Sequence, residues 1–120
     1  MKKESGENNM PVYEVDGKKP IIDDTVYIAD GGTVIGAVTL AEEVTVWTGA
    51  VIRADNDTIE VQGKTNIQEG AILHADPGFP LKVGSNALIG AGSVITKDVS
   101  NNMLAVERNK QVTIKKRNKK

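Results

Sequence analysis

The chain has 120 residues, enough for one domain, and its 15 basic and 16 acidic side chains nearly cancel, so whole-chain charge gives no reason to expect a nucleic-acid partner. It has no cysteine, which excludes disulfides and thiolate metal sites. No segment is long and apolar enough to span a membrane, and residues 1–11 lack the apolar core of a signal peptide, so the expectation is a soluble, cytoplasmic protein without membrane contact.

Residues 1–11 form a polar leader ahead of Pro11 that reads as disordered. Residues 12–21, with Asp16-Gly17 as a turn, either start or cap the repeat region. From Ile22 onward apolar residues recur at every sixth position: Ile22, Ile28, Val34, Leu40, Val46 and Ile52, then Val61, Ile67 and Leu73, then Val83, Ile89 and Ile95. Four places after most of them stands a small or β-branched residue, such as Val26, Gly32, Val44, Ala50, Thr65, Ala71, Ala87 or Ser93. A six-residue period fits neither a helix nor a flat strand; it is the mark of a parallel β-helix of hexapeptide repeats. Three hexapeptides make one triangular coil of about eighteen residues.

The predicted fold is therefore all-β: a prism of about four coils over residues 12–100, with short terminal caps. The period places the coils at 22–39, 40–57, 61–78 and 83–100, with interruptions at Thr58–Glu60 and Phe79–Lys82, both at one corner. It stacks Ile22, Leu40, Val61 and Val83 on wall A, and Ile28, Val46, Ile67 and Ile89 on wall B. On wall C it stacks Val34, Ile52, Leu73 and Ile95. One place further on wall C come Ile35, Arg53, His74 and Thr96, and two places beyond these a carboxylate column of Asp55, Asp76 and Asp98 above Ala37. Trp47 falls next to Gln68 on wall B; Ile35 and Trp47 point outward and are candidate contact residues. Residues 101–120 form a C-terminal cap and basic tail, in which Met103, Leu104, Val106, Val112 and Ile114 suffice for a closing strand or short helix. The cations Lys115, Lys116, Arg117, Lys119 and Lys120 read as a solvated end.

The stretches Arg53-Ala54-Asp55 and Asn66-Ile67-Gln68-Glu69-Gly70-Ala71-Ile72-Leu73-His74 carry an R-x-D pair followed by N-x-Q-x-G-x-x-x-H on hexapeptide repeats. Over about residues 12–90 the chain resembles the γ-class carbonic anhydrases. The resemblance implies a left-handed β-helix, a homotrimer, and a zinc-dependent hydration of CO2 to bicarbonate. It implies that Arg53 and Asp55 organise the subunit interface, that Asn66 and Gln68 line the active site, and that His74 is a zinc ligand. Three neutral imidazoles hold such a zinc and leave one position for water, whose pKa falls towards ~7.

This chain has one histidine. Where the family carries its other two ligands as G-H-x-x-x-x-H, the sequence reads Gly90-Ala91-Gly92-Ser93-Val94-Ile95-Thr96, with Ala91 and Thr96 at the ligand positions. The resemblance thus implies a carbonic-anhydrase-like protein with weak or absent activity. The alternatives are a non-catalytic trimeric scaffold module and a hexapeptide acyltransferase. Residues 89–99 are similar to the last coil of the acyltransferases, but Glu107-Arg108-Asn109-Lys110 replaces the G-N-P-A turn that those enzymes place near coenzyme A.

Overall fold

Short apolar segments joined by tight corners can pair only with equivalent segments one coil away, and the tertiary structure follows from that constraint. The computed structural model describes residues 2–3 and 11–117, and every regular element among them is a β-strand. Most strands span two or three residues, the flat part of one hexapeptide. Thr33–Leu40 and Val51–Val61 are longer because they run on from one wall, through a corner, into the next.

The walls stack in parallel at the register expected from the six-residue spacing. On wall A, Ile22 pairs with Leu40, Leu40 with Val61, and Val61 with Val83. On wall B the series is Ile28, Val46, Ile67, Ile89 and then Ala105. On wall C it is Val12, Val34, Ile52, Leu73 and Ile95. The inward residues of the middle coils, among them Val46, Ile52, Val61, Ile67, Leu73 and Val83, are fully buried. Each such side chain contributes on the order of 1.5–3 kcal/mol by leaving water.

Corners repeat as strictly as walls. Gly31, Gly49, Gly70 and Gly92 all adopt φ between +69° and +85°, and the Gly49 N–H donates to the Gly31 carbonyl at 3.0 Å. A left-handed residue is needed there in every coil, which explains why the position after the wall B segment is glycine. At the corner between walls A and B the left-handed residues are Glu43, Lys64, Asn86 and Asn102 instead.

The interruptions of the period lie elsewhere than the spacing suggested. Gly36 pairs with Ala54 and Val38 with Ile59, so the extra residues of that coil bulge out between Asp55 and Thr58, not at Thr58–Glu60. Ile59 is buried and returns to wall A. Likewise Leu81 pairs with Ile59 and is buried, as is Ala75, so the next excursion is 76–80 rather than Phe79–Lys82. The cause is that Ile59 and Leu81 are aliphatic residues that the core accepts, whereas the polar and turn-forming residues before them are ejected. Of the expected carboxylate column, Asp98 is found beside Lys82. Asp55 belongs to the bulge, Asp76 bridges to Phe79 across a turn, and Asp98 Oδ1 accepts from the Lys82 N–H at 2.8 Å.

At the N-terminal end, Val12–Glu14 begins wall C, Asp16 and Gly17 form the left-handed turn between Val15 and Lys18, and Lys2–Lys3 pairs antiparallel with Tyr13–Glu14. The rest of the leader expected to be disordered lies outside the described residues. At the other end Leu104–Ala105 adds to wall B, and the Val94 N–H donates to the Glu107 carbonyl at 3.1 Å. Residues 106–117 contain no helix or strand, so the closing element is shorter than the apolar content of 101–120 suggested.

Candidate functional site

Adjacent coils of wall C place Arg53 and His74 side by side, because the backbones of these residues are paired in register. Both side chains point outward, since Ile52 and Leu73 before them fill the core. Arg53 Nη2 lies 3.0 Å from His74 Nε2, and Arg53 Nε lies 3.2 Å from Asp55 Oδ1. Asn56 Nδ2 lies 3.3 Å from the same imidazole nitrogen, and His74 Nδ1 faces Asp76 Oδ1 at 3.5 Å. A guanidinium can only donate, so Nε2 accepts and the proton of the neutral ring resides on Nδ1, towards Asp76. The Arg53–Asp55 pair is half-exposed, with side chains 49% and 33% accessible, and an isolated pair of this kind contributes about 0–1 kcal/mol.

Beside this cluster runs an apolar stripe. Val51, Ile72 and Val94 precede the inward residues of wall C and therefore face outward, Ile72 and Val94 at 40% and 44% exposure. With Arg53, His74 and Thr96 they line a shallow groove of about 300 Å³.

Asn66, Gln68 and Trp47 stand on wall B, a separate sheet, and are not joined to His74 within the chain. Trp47 packs edge-on against Tyr27, ring centroids 5.5 Å apart, and lies beside Gln68 on the neighbouring coil. Asn66 Oδ1 is buried without a hydrogen-bond partner among the described residues. The structure thus unites Arg53, Asp55 and His74 and leaves Asn66, Gln68 and Trp47 as a second group. Sequence reasoning missed Asn56 as a contact of His74, because its position depends on the bulge. It also missed the Val51, Ile72, Val94 stripe, which the doubled apolar pairs Val51-Ile52, Ile72-Leu73 and Val94-Ile95 do signal.

The donor set does not fit the zinc that the fold family implies. A zinc-binding imidazole needs a free lone pair and at least two further protein ligands. Here the Nε2 lone pair faces two donors, one of them cationic. Thr96 shares the groove, and among the described residues no three histidine, cysteine or acidic side chains converge.

No family model matches the chain. Among curated proteins it is 36% identical to a carbonic anhydrase of Geobacillus kaustophilus, over 70% of this chain and 56% of that protein. It is 32% identical to the mitochondrial gamma carbonic anhydrase 2 of Arabidopsis thaliana, over 65% of this chain and 30% of that one. The chain therefore spans about half, or less, of the length of these curated relatives. Among solved structures, a hexapeptide transferase family protein from Anaplasma phagocytophilum superposes with a TM-score of 0.58 at 28% identity, covering 78% of this chain and 76% of that one. Taken with the stacking of three walls at a six-residue period, these likenesses make the chain a hexapeptide-repeat, left-handed β-helix protein with homologues among the gamma carbonic anhydrases.

Proposed function

We propose that this chain derives from zinc-dependent, CO2-hydrating enzymes, has lost most or all of that activity, and acts in the cytoplasm as a self-associating β-helix module. The observation that carries the reading is the engagement of His74 Nε2 by Arg53 Nη2 at 3.0 Å. A cation and its hydrogen bond stand on the lone pair that a metal would use. In this reading three copies associate along wall C. Burial of the Val51, Ile72 and Val94 stripe drives the contact, with Arg53 and Asp55 orienting it and Trp47 at its margin. Asn66 and Gln68 of one subunit then approach His74 of the next. That arrangement retains the outline of an active site for CO2 or bicarbonate, but each seam has a single imidazole.

Metal analysis of untagged protein, with a CO2 hydration assay, tests this. The expected zinc content is well below one per chain, with hydration near the uncatalysed rate. Near-stoichiometric zinc that disappears in His74→Ala would overturn the reading. Ala91→His combined with Thr96→His supplies the two missing imidazoles and should strengthen zinc binding by at least about 3 kcal/mol, against the order of ten for complete sites.

The transferase family of the Anaplasma phagocytophilum structure favours a second reading, an acyltransferase. Its test is calorimetric titration with coenzyme A, and the absence of the G-N-P-A turn at Glu107–Lys110 leads us to expect no heat of binding.

A further inference from the structure

Charge along this chain is segregated. Residues 11–107 carry fourteen acidic and six basic side chains, whereas residues 108–120 carry seven basic and no acidic ones. The near-neutral total conceals an acidic prism with a strongly basic C-terminal segment. Within that segment Val112 and Ile114 alternate with polar residues at strand spacing, yet they are 77% and 81% exposed and no strand forms among its described residues.

The opposite end of the prism has the complementary features. Ile21–Ile22 and Tyr27–Ile28 are the terminal strands of walls A and B, each paired on one side only among the described residues. Ile21 and Tyr27 are 69% and 52% exposed. The corners on either side of Tyr27–Ile28 carry Asp23, Asp24 and Asp30, all exposed, whereas Lys18 and Lys19 precede Ile21, so the acidic part of this edge is that of wall B. An open strand edge flanked by carboxylates is a template for an extended, apolar, basic segment.

From these two observations we infer that the C-terminal segment of one copy adds as a strand, through residues 112–114, to the acidic N-terminal edge of a second copy. The partner is a second copy because the segment cannot reach its own edge. Four strand steps on wall B separate Leu104–Ala105 from Tyr27–Ile28, about 19 Å at roughly 4.8 Å per step. The chain is held at the far end as far as Glu107, whose carbonyl accepts from the Val94 N–H, and the five residues from there to Val112 extend at most about 18 Å, so Val112 to Ile114 cannot lie along that edge in the same chain. Joining unlike ends is heterologous and propagates into open chains of molecules rather than a closed ring. This contact is independent of the one proposed for wall C.

Sedimentation velocity across a concentration series tests it on the full chain. At about 50 mM salt the protein should associate beyond any single closed species, and about 500 mM salt should weaken this at least tenfold. Lys115→Glu with Lys116→Glu and Arg117→Glu should abolish it, as should Asp24→Lys with Asp30→Lys, while circular dichroism stays unchanged. The two variants, mixed, should associate again, because the reversed tail meets the reversed edge. Failure of the mixture to associate, or association indifferent to salt, overturns the inference. So does a tail that binds single-stranded nucleic acid or anionic vesicles while self-association ignores the reversals. Ile72→Glu, which targets wall C, should leave the tail-dependent association intact.

Discussion

Thr65 and Ser93 are both fully buried hydroxyl residues, yet the structure assigns them opposite energetic signs. Thr65 Oγ1 donates to the Gly84 carbonyl at 2.6 Å and accepts from the Ala87 N–H at 3.1 Å, tying one coil to the next. Ser93 Oγ has no partner among the described residues. Thr65→Val preserves shape, and Val44 already occupies the equivalent place one coil earlier. It leaves one carbonyl and one N–H without the hydroxyl that satisfied them. At about 1–2 kcal/mol for each, the lower part of the range for a buried group left unpaired, the loss should be about 2–4 kcal/mol. For a domain of this size that lowers the melting temperature by roughly 10–15 °C. Ser93→Ala removes only the unpaired oxygen and extends the column of buried Ala50 and Ala71, so stability should be unchanged or higher by up to about 1 kcal/mol. Urea titration and thermal melting followed by circular dichroism measure both. If Ser93→Ala destabilises the protein as much as Thr65→Val does, the hydroxyl has a partner and the reasoning is wrong. If Thr65→Val is neutral, the inter-coil bond does not have the assigned value.

The remaining expectations concern the corner, the wall C surface and acid. Gly36 has φ +81°, and a Cβ there would approach the Ala54 carbonyl carbon to 2.9 Å, so Gly36→Ala should cost about 2–4 kcal/mol in a urea titration. Ile72→Glu puts a charge in the exposed apolar stripe; sedimentation equilibrium should show loss of the trimer proposed for wall C while the melting temperature of the chain changes by only a few degrees. The Asp23 carboxylate is held below its ordinary pKa by the Thr25 hydroxyl and then by the Thr25 N–H. Because its folded pKa is the lower one, the contribution is present above about pH 4 and is lost as pH falls through the folded value. An NMR titration should find Asp23 returning towards the ordinary carboxylate range in Thr25→Ala.

The repeat was legible because a narrow prism must place an aliphatic side chain inward once per wall, and Ile28, Val46, Ile67 and Ile89 recur at that interval whatever else changes. The family likeness was legible for the same reason: Arg53, Asp55, Asn66, Gln68 and His74 keep their spacing relative to those core residues. Where the chain leaves the period, spacing alone could not say which residues are extra. Only packing decided that Ile59 and Leu81 enter the core and that Asp55 to Thr58 and 76–80 are pushed out. That decision brings Asn56 to the imidazole, and packing also sets Asp98 beside Lys82. Composition determined that a single imidazole exists, but the tertiary structure directs its Nε2 lone pair at a guanidinium. Charge totals hid the opposition between the acidic prism and its basic segment, because a sum carries no position, and the coil stacking placed the open Tyr27–Ile28 edge at the end opposite Leu104–Ala105.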